Sequence, residues 1–188
     1  MAPVNNAGKH LALLRGINVG GHNLISKTEL RSCFEELGFE DVSTYIQSGN
    51  VLFRSKSKSI KQLIKKIEQG LSDTFDYAAR AVVFSAQDYN AAVSKAHQTW
   101  GRKDGFKHNA MFLLPELTLE QTLEQLPKPT RGIETVSLST NAIFWSADTR
   151  NLGKTTMMKL SKTKLYKQMT VRNHKTTFKL QELLDAMD

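Results

Sequence analysis

What most limits the fold of this chain is an order of elements that occurs twice. Residues 11–14 (Leu-Ala-Leu-Leu) form an apolar run closed by Arg15-Gly16, the mark of a buried strand. Ser26 and Glu29 have capping-box spacing, and Leu30, Cys33, Phe34 and Leu37 then line one face of a helix that stops at Gly38. Residues 42–46 read as a strand, Gln47-Ser48-Gly49-Asn50 as a tight turn and residues 51–53 as the returning strand. Ile60, Leu63, Ile64, Ile67 and Leu71 recur at helical spacing, and residues 81–84 make a further strand. A linking helix capped by Ser85 and a polar stretch at 101–107 come next. The order then repeats: a strand at 110–114, a helix opened by Thr118 and Gln121, and a hairpin of 135–138 and 142–145. Met157, Met158, Ser161 and Leu165 are spaced along one further helix, residues 169–171 read as a strand, and Phe178, Leu180, Leu183, Leu184 and Met187 belong to a final helix. The expected fold is therefore α+β, built as two tandem ferredoxin-like βαββαβ units with mainly antiparallel sheets, one over residues 1–100 and one over 101–188.

Composition supports a globular core. Of 188 residues, 40% are hydrophobic and 23% charged, which argues against a disordered chain. The lone cysteine, Cys33, excludes an intramolecular disulfide and sits on an apolar helix face, where it reads as core. No apolar run approaches the length of a membrane span, so no membrane partner is expected. The polar start lacks the apolar stretch of a signal peptide, which makes the cytoplasm the expected compartment.

The charge is one-sided. Between Asp148 and Glu182 there is no acidic residue and there are nine basic ones, more than the whole net charge of +8, so the rest of the chain carries −1. Such a segment either offers an anion-binding face or keeps a solvated surface soluble.

Four segments carry polar groups beyond what turns and helices need. The loop Arg15-Gly16-Ile17-Asn18-Val19-Gly20-Gly21-His22-Asn23 joins a strand to a helix and exceeds the usual 2–6 residues. Its glycines admit close backbone approach to a ligand. It has neither dinucleotide-fingerprint spacing nor a Walker Gly-Lys-Ser/Thr ending. Gly153-Lys154-Thr155 imitates the end of a phosphate loop, but Asp148 stands where that loop needs glycine; the segment is an anion site at a helix start or a plain helix entry. In the hairpin turn, Ser48 lacks the flanking glycines of a nucleophile elbow, while Gln47 and Asn50 add hydrogen-bonding groups. In Met169-Thr170-Val171-Arg172-Asn173-His174, Asn173 suits a helix N-cap and Arg172 suits an anion clamp. The five histidines have no metal-ligand spacing, so no metal is expected, and no cofactor is indicated. The strands lack the aromatic stripe of an RNA-recognition domain.

The segments 12–23, 45–51 and 170–173 together resemble one bacterial family, domain of unknown function 1697. The resemblance extends along essentially the whole chain and implies a tandem ferredoxin-like fold with no assigned activity. The family pattern has Trp at the position of His174, which removes the ground for a stacking role there.

Two functions from different classes fit these features. One is an anion-binding protein for nucleic acid or a phosphorylated ligand, with Arg15, Asn18, Gly20, Gly21, Asn23, Gln47, Asn50, Arg172 and Asn173 meeting in a polar cleft between the halves. The other is a small-molecule enzyme acting on an anionic substrate there, with His22 as acid or base and Ser48 beside it.

Overall fold

The computed structural model describes residues 7–18, 22–47 and 49–187. Gly20, Gly21 and Ser48 lie outside the described residues. By internal contacts the chain divides into two units: the first runs to Tyr89 and includes the residues from Leu180 onward, and the second spans Asn90–Lys179.

The first unit contains β1 (Gly8–Arg15), α1 (Lys27–Glu36), β2 (Glu40–Thr44), β3 (Asn50–Ser55), α2 (Ile60–Phe75) and β4 (Arg80–Ser85). The expected capping box forms: the Glu29 N–H donates to Ser26 Oγ at 3.2 Å, and the Ser26 N–H donates to Glu29 Oε2 at 2.9 Å. This satisfies two donors that the helix start would otherwise leave open. The four strands form an antiparallel sheet in the order β2-β3-β1-β4. Side chains alternate across it. Ala12, Leu14, Val51, Phe53, Ala81 and Val83 face a core shared with Leu30, Phe34, Leu63, Ile67 and Leu71 of the two helices. Register sets Leu13 opposite Asn50 and Arg15 opposite Arg80, so the end of β1 meets the start of β3 and of β4.

α3 (Ala86–Val93) follows, and Ser85 caps it by accepting from the Asp88 N–H at 3.1 Å. The second unit then contains β5 (Phe106–Leu113), α4 (Leu119–Gln125), β6 (Glu134–Ser139), β7 (Ala142–Asp148), α5 (Thr156–Leu160) and β8 (Met169–Asn173). Its sheet is also antiparallel, in the order β6-β7-β5-β8. Met111, Leu113, Ile143, Trp145, Met157, Leu160, Leu165 and Met169 make its core. α6 (His174–Asp185) closes the chain.

The helix expected across Met157 to Leu165 is shorter than its spacing suggests. α5 ends at Leu160, and two hydroxyls turn back onto its carbonyls: Ser161 Oγ donates to Met158 O and Thr163 Oγ1 to Leu160 O. Such side chains compete with helix continuation. Leu165 still reaches the core, from a turn rather than a helix. No helix among the described residues is long and apolar enough to cross a membrane.

Candidate functional site

The glycine-rich loop and the hairpin turn are tied together at one end of the first sheet. Asn18 does the tying from a left-handed backbone (φ 52°). Its Nδ2 donates to Ile25 O at 2.9 Å and to Gln47 O at 2.8 Å, and its Oδ1 accepts from the Ile25 N–H at 2.9 Å. Asn23, also left-handed (φ 49°), donates from Nδ2 to Gly16 O. Asn50 is fully buried and donates to Tyr45 O, which closes the turn from within. The amides of these three asparagines are therefore engaged by backbone and hold the loops in place. Gly49 permits this approach: its φ is 71°, and a Cβ there would lie 2.8 Å from the Leu14 Cβ.

The groups free to meet a ligand are different ones. His22 and Gln47 are exposed, and the His22 side chain has no hydrogen-bond or ion-pair partner among the described residues. Arg15 Nε is buried and has no hydrogen-bond partner. A guanidinium N–H shielded from water without an acceptor costs free energy. In the hairpin turn, Ile46 is a β-branched residue at φ 50° and is 41% exposed. Backbone strain of this kind collects at binding sites.

Arg172 and Asn173 belong to the second unit. Asn173 caps α6, its Oδ1 accepting from the Thr176 N–H at 2.8 Å. Arg172 is 7% exposed and donates from Nη1 to Thr170 Oγ1 and Val171 O. His174 packs edge-on against Trp100 and His108, and burial, with the neighbouring His108 and Lys175, lowers its pKa. His108 makes a buried pair with Ser146, Nδ1 to Oγ at 2.7 Å. Its Nε2 donates to the carbonyl of Lys103, so Nδ1 must accept from the Ser146 hydroxyl. The pair resembles a nucleophile and base, but both residues are buried in the strand pairing β5–β7.

The phosphate-loop imitation at 148–156 is filled by the chain itself. Residues 149–154 form a 3-10 turn capped by Asp148, whose carboxyl is held down to about 2, chiefly by its hydrogen bonds from Arg150. The helix start beyond it is occupied by the carboxylate of Glu134. That group accepts from the N–H of Thr130 (2.7 Å), Thr156 (3.0 Å) and Met157 (3.1 Å), the Thr156 hydroxyl and the Trp145 indole (2.9 Å). Burial alone would raise its pKa; the backbone donors and the indole outweigh burial and lower it. An external anion at this helix start has no place to bind.

One feature escaped sequence reasoning. A pocket of about 400 Å³ opens at the start of β1, lined by Gly8, Lys9, His10, Ser55, Lys56, Ser57, Lys58, Ile60 and residues 85–88. The signal was present as a histidine just ahead of the apolar run 11–14 and as alternating Ser and Lys over 55–59, neither of which forms a motif. Among the described residues, no group of three His, Cys, Asp or Glu is placed to hold a metal.

A family model described as "Protein of unknown function (DUF1697)" matches residues 8–144. The match includes the segments 12–23 and 45–51 and stops before 170–173. The structure of a conserved bacterial protein from Streptococcus pneumoniae is similar over 95% of this chain and 99% of that one, with 29% identity and a TM-score of 0.86. No curated protein matches.

Proposed function

The chain belongs to the DUF1697 family, and from that premise we propose that it is an anion-binding protein whose ligand is a nucleic acid or a phosphorylated molecule. The antiparallel order of each sheet, with the first strand of a unit flanked by its third and fourth, supports reading both units as ferredoxin-like. That fold hosts many functions, so the argument rests on the surface. Lys154, Lys159, Lys162, Lys164, Lys167 and Lys175 are exposed in the acid-free stretch. None of them has an ion pair among the described residues. Unpaired lysines of one sign are what condensed phosphates attract, since each contact releases a counterion.

The test is fluorescence anisotropy of labelled single- and double-stranded DNA and RNA oligonucleotides at low and physiological salt. Replacing Lys162, Lys164 and Lys167 together with Glu should weaken binding at least about tenfold at low salt and flatten the salt dependence by about two to three in log–log slope. No binding by the native chain, or binding that the triple variant retains, removes this reading.

The orphaned Arg15 Nε and the strained Ile46 favour a second reading, an enzyme for a small anionic substrate at the first unit's loops. There Arg15 would hold the anion, Asn18 and Asn23 would fix the loop, and His22 would act as acid or base. Arg15→Ala should then weaken a small anionic ligand without changing oligonucleotide affinity.

A further inference from the structure

We propose that the pocket at the start of β1 is a second binding site, for a phosphorylated small molecule that also carries a hydroxyl, with the phosphate on the lysines and the hydroxyl on His10 Nε2. The site is separate from the loop cluster. β1 begins at Gly8 and ends at Arg15, about 23 Å of extended chain, and the pocket is lined from the Gly8 end.

Three observations carry the inference. The first is His10 itself, which lines the pocket and is 4% exposed. Its Nδ1 lies 2.8 Å from Gly8 O. A carbonyl cannot donate, so Nδ1 carries the proton and Nε2 presents a lone pair. That nitrogen has no hydrogen-bond partner among the described residues. Stacking on Phe53, ring centroids 5.4 Å apart, holds the ring in place. Burial outweighs the Gly8 hydrogen bond and the charge of Asp88 and lowers the His10 pKa, which favours the neutral ring that can accept.

The second is the charge of the lining. Lys9, Lys56 and Lys58 stand against one carboxylate, Asp88. Asp88, which accepts from Ser85 Oγ at 2.6 Å within the same lining, is the single opposing charge there and is outnumbered by the three lysines. Lys56 has a loose, exposed pairing with Glu40 at 3.6 Å, worth little in water. Lys9 and Lys58 have no ion pair among the described residues.

The third is the backbone. The pocket includes Ile60 at the start of the 16-residue helix α2, whose first turn holds no acidic residue. The positive end of that helix therefore meets no carboxylate of its own, and a phosphate would complement it. The volume falls within the range of small-molecule sites.

Ribose 5-phosphate, ribose and inorganic phosphate are the probes, titrated into the full chain by calorimetry and by the His10 Cε1–H resonance in NMR. Ribose 5-phosphate should shift that resonance and bind with a Kd below about 1 mM, with ribose and phosphate each at least about tenfold weaker. Lys9→Glu with Lys58→Glu, both outside the core, should abolish binding and leave Tm unchanged. His10→Leu should lose the advantage of ribose 5-phosphate over phosphate. No shift of His10 at about 10 mM ribose 5-phosphate overturns the proposal, as does binding that the lysine variant retains. Binding that Arg15→Ala abolishes and the lysine variant does not would assign the phosphate to the loop cluster, refuting this site while supporting that one.

Discussion

Replacing Glu134 examines how a helix start can be capped from a distant strand. Glu134 is 8% exposed and its two oxygens accept from four N–H groups and one hydroxyl. Each hydrogen bond to a charged acceptor is worth about 1.5–3 kcal/mol, and each buried donor left open costs about 1–3 kcal/mol. Glu134→Ala opens all of them at once, but water reaches some of the vacated donors, so the loss does not sum. The expected destabilisation is about 3–5 kcal/mol, and about 2–3 kcal/mol for Glu134→Gln, which keeps one accepting oxygen but turns an NH₂ toward other donors. Both tryptophans, Trp100 and Trp145, lie in the second unit, so urea unfolding followed by their fluorescence reports on that unit directly. The pH dependence has a fixed sign. The folded pKa is depressed, so the carboxylate's stabilisation is present above the unfolded value, about 4.3, and is lost as pH falls through the folded one. The gap between native and Gln variant should therefore be full at pH 7 and shrink in acid below about pH 4. A Glu134→Ala loss under about 1 kcal/mol, or a gap that does not change with pH, would refute the reasoning.

Other substitutions test the loop cluster. Ile46→Asn should raise stability by about 0.5–1 kcal/mol in urea unfolding, because asparagine accepts the left-handed backbone that strains isoleucine. Gly49→Ala should cost about 3 kcal/mol or more, since it combines a positive φ with a Cβ 2.8 Å from Leu14 Cβ; circular dichroism during thermal unfolding would read the fall. Asn18→Ala removes three backbone contacts and should cost about 2–3 kcal/mol, with faster amide exchange at Ile25, which loses its acceptor. Ser146→Ala should cost about 1–2 kcal/mol in thermal unfolding by leaving buried His108 Nδ1 without its donor.

Much of the chain's local structure could be read before any tertiary contact was known. The capping boxes at Ser26 and Thr118, the cap at Asn173 and the two hairpins are short-range features, in which the residues that make the bond lie within a few positions of one another. Strand and helix periodicity is likewise local, and it placed the eight strands found among the described residues and the helices between them. What it could not place was the length of α5, because hydroxyls at Ser161 and Thr163 end a helix whose apolar spacing continues to Leu165.

The roles of the polar motif residues were decided at a distance. Asn18 looks like a ligand donor by type, yet its contact with Gln47 spans 29 positions and makes it a clip. Glu134 has no motif at all, and it takes up an anion-binding helix start 22 residues away. Lys9, Lys58 and His10 share a pocket because β1 pairs antiparallel with β3, setting Gly8 opposite Ser55. By itself, then, the sequence determined the elements, their order and the sign of the surface charge, since these depend on neighbours in the chain. Only the tertiary structure decided which polar groups are satisfied and which are left open, because a hydrogen bond is satisfied by proximity in space, and the sheet pairing sets that proximity.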